Sequence, residues 1–400
     1  MDELAVATAE VAAVAGTCAG ETERLRRLAP PVVDAIRRSG LNRLVSPSAL
    51  GGDAADPRSV VDVIETISRS DASAGWCVGI GMGSNFLSGL MDESESRVVF
   101  TDLDGGAAGP FAPGGHAQVT PDGYHVTGRW PFSSNCHQAK VVGAGIMAFD
   151  GGRPSELDRD GRPIVRLGFF TDDQFEIVET WDTVGLRGTG SHDLTLAGAD
   201  LPRERTATLF DTAWPDDALF RLRTFDVLGP SLAAVPLGIG RAALDIVAAR
   251  AAAEAEGPPA MGPRPRLCDD SLGQLEYARA ELRLRAARAL LMEAMGACYA
   301  HALVGDTPPR RATALVGLSC FEALTAGVDA VATAVRLSGT AAVREGSPLE
   351  QLRRDIDTAG SHVMFSPTGA ANLGRELSGV PTRAHPVSYT HLTLPTILRV

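Results

Sequence analysis

Three long helical patterns dominate the second half of this chain, over residues 218–256, 271–304 and 310–338. Each runs for about thirty to forty residues, or roughly 45–60 Å at 1.5 Å per residue. A loop rich in Pro and Gly at 257–265 separates the first two, and Pro230 and Pro236 lie near the start of the first. Their Ala-rich faces allow helices to approach closely, as in a bundle. A shorter helical pattern at 348–365 follows, opened by Ser347-Pro348, an N-cap residue before a proline suited to a first turn. Residues 216–386 are therefore expected to form a four-helix bundle.

The N-terminal stretch has the same character. Residues 3–38 repeat Ala, Val, Leu and Arg at three-to-four spacing, interrupted by Pro30-Pro31. One helix should end near Leu28, the next should start at the prolines, and Gly40 should stop it. Asp71 is placed to cap a small-residue helix that runs to about Leu90. After Gly105 the pattern changes. A stretch rich in Gly, Ala and Pro at 105–115 leads into strand signals at 116–120, 124–127, 141–149, 164–170, 175–184 and 193–199, with Pro121-Asp122-Gly123 marking a hairpin. Short strands in this number predict an antiparallel barrel or small sandwich. The fold class is thus α+β, mostly α: a helical domain at 1–114, a β domain at 115–215 and the bundle at 216–386. Residues 387–400 break the composition abruptly and read as translated sequencing-adapter sequence, so His391 is set aside.

Composition excludes several functions. With a net charge of −12 and no basic cluster, the chain lacks the electrostatic footprint of a nucleic-acid binder. Lys140 is the one lysine, which disfavours a Schiff-base or P-loop mechanism. The six cysteines are scattered with no C-x-x-C pair, so neither a metal site nor a redox dithiol is expected. No signal pattern and no run near 18 apolar residues is visible, so the expectation is a cytoplasmic protein with free thiols and no membrane partner.

Three segments could carry chemistry. Gly128-Arg-Trp-Pro-Phe-Ser-Ser-Asn-Cys-His137 sets aromatics beside hydroxyls, which suits a flat heteroaromatic ring with polar edges; the alternation of Trp130 and Phe132 equally suits a β-domain core. Trp181-Asp-Thr-Val-Gly-Leu-Arg-Gly-Thr-Gly-Ser-His-Asp193 combines turn-permitting glycines with Arg187, Thr189 and Ser191, a composition able to hold a phosphate or to make a tight turn. In the third, Asp355 and His362 are seven residues apart, which places both on one face of a helix.

In this order the segments, together with Asp71-Ala-Ser-Ala-Gly-Trp-Cys77, resemble the acyl-CoA dehydrogenase fold, and more closely its two-component flavin monooxygenase branch. The resemblance spans residues 20–380. It implies an oxygenase that takes reduced FMN or FAD from a separate reductase and, with O2, hydroxylates a small, aromatic substrate. It implies that Trp130, Phe132, Ser133 and Ser134 line the flavin ring, with Ser134 near N5. Arg187, Thr189 and Ser191 would belong to the flavin-binding loop, Gly339 would approach the flavin of a neighbouring subunit, and His362 would act as base on a substrate hydroxyl or help hold the activated oxygen. Trp76, Met82, Phe86 and Phe365 are candidates for the pocket wall. The family usually has Ser-Gly where this chain has Ser134-Asn135. Homotetramers or homodimers formed through the bundle are expected. Two other readings stand beside this one. A true acyl-CoA dehydrogenase needs a carboxylate base, and the Tyr-Glu-Gly-type segment that carries it is absent after Gly339. A non-catalytic scaffold of the same fold would not need the polar loop.

Overall fold

A computed structural model describes residues 3–211, 213–257 and 266–380; the tail with His391 lies outside the described residues. Five helices come first: α1 Glu3–Leu25, α2 Pro30–Ser39, α3 Arg58–Ser70, α4 Ala72–Phe86 and α5 Glu93–Val99. The two prolines do open α2, and Gly40 ends it at φ 69°, a left-handed conformation in which glycine carries no Cβ penalty. Asp71 caps α4 by accepting the Ala74 N–H at 2.6 Å.

Nine strands follow: β1 Ala107–Ala108, β2 Gly115–Thr120, β3 Gly123–Trp130, β4 Val141–Asp150, β5 Arg153–Pro154, β6 Val165–Thr171, β7 Glu176–Val178, β8 Asp193–Pro202 and β9 Thr206–Ala207. They form one sheet in the order β7-β8-β3-β2-β4-β6-β9, with β1 and β5 also pairing to β4. The hairpin turn sits at Pro121-Asp122, since Thr120 pairs with Gly123. The sheet is mixed rather than antiparallel throughout, because β1 and β2 both run parallel to β4. The strand expected over 175–184 stops at Val178. Beyond it the N–H groups of Thr180 and Trp181 both donate to Nδ1 of His192, at 3.0 Å each, instead of to a neighbouring strand.

The remaining helices are α6 Thr224–Glu256, α7 Ser271–Leu303, α8 Arg310–Ser338, α9 Pro348–Gly360 and α10 Pro367–Leu377. Apolar residues divide into two cores. The larger joins α1–α4 to α6–α9, so both helical regions share one interior. The smaller belongs to the sheet and includes Tyr124, Trp130, Ile146 and Phe170. By length and composition alone, Glu3–Leu25, Thr224–Glu256 and Arg310–Val343 could each cross a membrane, in contrast to the reading of the bare sequence. The last two bury 67% and 56% of their apolar stretch inside the molecule, which assigns most of that hydrophobicity to the bundle.

Small residues set the packing of the bundle. A Cβ on Gly238 of α6 would lie 2.5 Å from the Glu65 carbonyl oxygen and 3.0 Å from the Arg69 nitrogen on α3. One on Gly327 of α8 would lie 2.5 Å from the Pro236 carbonyl oxygen. Backbone cannot yield as a side-chain tip can. Gly238→Ala is therefore expected to cost about 1–3 kcal/mol by overpacking, measured by denaturant unfolding. Gly374→Ala in α10, where nothing lies within 4 Å, should instead be neutral or stabilise by up to ~1 kcal/mol through helix propensity.

Candidate active site

Two polar segments meet where β3 leaves the sheet. The Ser133 N–H donates to the His192 carbonyl at 2.9 Å, and this bond sets Ser134 beside Ser191. Phe132 and Asn135 flank the serines in left-handed conformations, at φ 61° and 69°. Asn is one of the few residues with a Cβ that adopts this conformation readily, so Asn135 meets the backbone demand that glycine would meet. Its side chain also donates to the Ala107 carbonyl at 3.2 Å.

The hydroxyls form a chain whose direction follows from its ends. Thr189 Oγ1 lies 2.9 Å from the Leu186 carbonyl, which can only accept, so Thr189 spends its proton there. Ser191, 2.7 Å from Thr189 Oγ1, must then donate to it. Ser134, 2.6 Å from Ser191 Oγ, must donate in turn. The indole Nε1–H of Trp76, from α4, donates to Ser134 Oγ at 3.1 Å. Ser134 is left with its proton committed and an acceptor lone pair free.

His362 meets Trp76 edge-on, with ring centroids 5.4 Å apart. It does not share a helix face with Asp355, because α9 ends at Gly360 and His362 opens a short turn over Val363–Phe365. Its Nδ1 accepts the Met364 N–H at 3.3 Å. Desolvation alone lowers its pKa to about 4. The ring is therefore neutral at physiological pH, with its proton on Nε2. In this tautomer His362 donates a hydrogen bond, and the base role expected from sequence would require giving up the Met364 contact.

Several expected residues stand elsewhere. Trp130 is 0% exposed; its Nε1 donates to the Gly145 carbonyl at 2.7 Å and it fills the sheet core, so it offers no face to a cofactor. Ser133 is buried and donates to the Trp130 carbonyl at 3.1 Å. Phe132 is 73% exposed and meets Trp181 edge-on at 6.2 Å, an open aromatic surface beside the serines. Arg187 turns back on its own loop, donating to the Thr183 carbonyl at 2.8 Å. Gly339 ends α8 at φ 59°, and the turn it begins packs on α8 and α9. The Gly-rich loop is not a free phosphate cradle. A Cβ on Gly185 would lie 2.1 Å from the Arg354 carbonyl oxygen, and one on Gly188 would lie 2.1 Å from the Thr22 side chain. These glycines admit the backbones of α9 and the side chains of α1.

A cavity of about 910 Å³ adjoins the His362 turn, walled by Phe220, Arg221, Arg223, Phe225, Val363 and Met364 among others. The four pocket-wall candidates, Trp76, Met82, Phe86 and Phe365, are all core residues, and none lines this cavity. Phe86 stacks at 4.7 Å on Phe220, which does line the cavity. Trp76 reaches the site in another way, through its hydrogen bond to Ser134, which sequence reasoning missed. Cys136 packs in the sheet core with its thiol on the Gly190 carbonyl at 3.3 Å. His137 meets His192 edge-on, and its buried Nε2 has no partner among the described residues.

The comparisons with known proteins agree with this geometry. Residues 231–367 match the family model for the acyl-CoA dehydrogenase C-terminal domain. Indole-3-acetate monooxygenase of Pseudomonas putida is 33% identical over 90% of each chain. The chain belongs to the flavin-dependent monooxygenases of the acyl-CoA dehydrogenase fold. The oxygenase subunit HsaA of a flavin-dependent monooxygenase from Rhodococcus jostii is 25% identical over 88% of this chain and 92% of its own. The solved structure of XiaF from Streptomyces sp., in complex with FADH2 and glycerol, superposes with a TM-score of 0.86 at 26% identity, covering 96% of each chain. This flavin-dependent monooxygenase is the oxygenase component of a two-component system, served with reduced flavin by a separate reductase. The residues present fit that cofactor. An acceptor stands free on Ser134, open aromatic surface lies beside it on Phe132, and the orphaned His137 Nε2 can receive or give one further polar contact.

Two buried acids frame the site. Asp71, the α4 cap, is raised to about 6 by desolvation. Asp355 of α9 is raised to about 7, chiefly by desolvation, against the lowering effect of the Leu186 N–H and with a further rise from Asp71. Between pH ~4 and ~7 the folded protein holds a proton on Asp355 that the unfolded chain has released, so this group's contribution to stability falls as pH rises through that window. Asp355→Asn should remove the loss. Its thermal midpoint should exceed that of the parent protein at pH 8, and the gap should narrow toward pH 5 in parallel melts.

Proposed function

We propose that this oxygenase hydroxylates a small aromatic acid. The directed hydroxyl chain ending at Ser134 carries the reading. In a reduced flavin N5 bears a hydrogen and is a donor, whereas in an oxidised flavin N5 is an acceptor. Ser134, its own proton committed to Ser191, complements the reduced form. The bound reduced FMN or FAD supplies the two electrons that activate O2. One oxygen atom enters the substrate C–H bond as a hydroxyl, the other leaves as water, and the flavin leaves oxidised. The protein supplies orientation and dryness. Trp76 holds Ser134, and His362 presents Nε2–H to an oxygen of the substrate or of the activated oxidant. The names of the two indole-3-acetate monooxygenases and of a p-hydroxyphenylacetate 3-hydroxylase among the relatives support an aromatic acid. In the stretch after Gly339, Glu345 is exposed, Glu350 is paired with Arg354 and Asp355 is engaged by the Leu186 N–H, which disfavours these three as the base of an acyl-CoA dehydrogenase.

Exposed Leu272, Leu275, Leu282 and Leu290 on α7 favour a homodimer or homotetramer formed through the bundle. Six unpaired cysteines suit a reducing cytoplasm.

The deciding experiment supplies NADH, a flavin reductase, FMN or FAD, labelled dioxygen and a panel of aromatic acids and phenols. One labelled oxygen in a product is expected. If reduced flavin ends solely as hydrogen peroxide with every compound, while an acyl-CoA reduces a dye without reductase, the proposal is wrong.

Two variants test the roles. Ser191→Ala releases the Ser134 proton, so the preference for reduced over oxidised flavin should shrink by roughly tenfold, the worth of one hydrogen bond, in anaerobic titrations. His362→Asn retains an N–H donor and should keep far more product formation than His362→Ala. With a pKa of about 4, His362 contributes no titration between pH 6 and 8. Equal loss in both variants, with disappearance of a limb near neutrality, would restore the base role.

A further inference from the structure

The Gly-rich loop is fastened to α9 at three consecutive residues. The Val184 carbonyl accepts from Nη1 of Arg354. Gly185 has no room for a Cβ against the Arg354 carbonyl and the Asp355 nitrogen. The Leu186 N–H donates to Oδ1 of Asp355 at 2.6 Å. Arg354 is itself held by Glu23 of α1 at 2.9 Å and by Glu350 of α9. The fastening bears on the chemistry because of what Leu186 does with its carbonyl, across its Cα from the held N–H. Its carbonyl receives the Thr189 hydroxyl and the Trp181 indole N–H, at 2.9 and 3.0 Å. It is thus the terminus that gives the chain Thr189–Ser191–Ser134 its direction. Leu186 is held at φ 47°, a conformation costly for a residue with a branched side chain, and such a residue stays there when its surroundings over-determine it. The same helix α9 leads, two residues past its end, to His362.

We propose that Arg354 and Asp355 form a positioning clasp that fixes the backbone of Leu186, and through it holds the Ser134 hydroxyl chain and His362 in register. The clasp governs how much of the reducing power consumed ends in hydroxylated product instead of hydrogen peroxide. Neither residue touches the reacting atoms; both act through the loop. The proposal rests on the assignment of Ser134 and His362 to the site.

Asp355→Asn keeps an oxygen that can accept the Leu186 N–H, whereas Asp355→Ala removes it. In the full-length protein, with reductase and a hydroxylated substrate, Asp355→Ala should lower the product-to-peroxide ratio by ~10-fold, the scale of a misplaced reacting group. Asp355→Asn should stay within about twofold of the parent, since the acceptor remains. Amide exchange across 184–191 should quicken by roughly tenfold in Asp355→Ala and not in Asp355→Asn, reporting local opening. If Asp355→Ala does not fold, Arg354→Met, which frees the Val184 carbonyl along with Glu23 and Glu350 but leaves the Leu186–Asp355 bond in place, should lower the same ratio in part and quicken the same amides. An unchanged ratio and unchanged exchange in the folded variants overturn the proposal, as does equal impairment of the Asn and Ala variants. Should the parent protein itself hydroxylate nothing, the functional assignment fails, and amide exchange still decides whether the clasp exists.

Discussion

One residue, Leu186, joins the two halves of the site through the two peptide groups that flank its Cα. Its N–H is bound by a carboxylate on α9, and its carbonyl ends a chain of three hydroxyls that reaches Ser134. A hydroxyl has one proton, so fixing the acceptor at one end fixes every donor along the row. Direction in such a chain comes from backbone, which cannot rotate to suit a ligand as a serine side chain can. The surrounding fold supplies what this residue needs: glycines on either side for close approach, α4 to bring Trp76, and α9 to bring Asp355 and the turn bearing His362.

The architecture was legible because its signals are local. Gly40 stops α2 and Asp71 caps α4 through conformations that depend on a few neighbouring atoms. Pro121-Asp122 turns the hairpin for the same reason. The segments of the site were legible as well, yet the roles within them were not. Alternation places Trp130 and Phe132 on one face of a strand, and the chain then leaves the sheet between them, so one fills the core and the other faces solvent. Spacing of seven joins Asp355 to His362 while a helix continues, and α9 stops at Gly360. Asn135 looked like a departure from the family's glycine, although its side chain tolerates the left-handed backbone that the position demands. The hydrogen bond from Trp76 to Ser134 spans 58 residues and two elements, and no periodicity reports it.

Buried acids and a neutral histidine give the site a particular electrostatic character. Asp71 and Asp355 are both displaced upward by burial, and His362 downward, so each is biased toward its uncharged form. The same low-dielectric surroundings that bias these groups strengthen the hydrogen bonds made among them. Such surroundings favour an oxygen transfer that water would divert.

The loop from Val184 to His192 buries one large apolar side chain, that of Leu186; its other closures are hydrogen bonds and glycine backbone contacts. Heat-capacity changes follow apolar area far more than hydrogen bonds. Loosening of this loop should therefore carry almost no heat-capacity change, and its population should follow a straight van't Hoff line. Unfolding of the helical core must curve. Warming thus acts on the site and on the bundle that carries it by two different temperature laws.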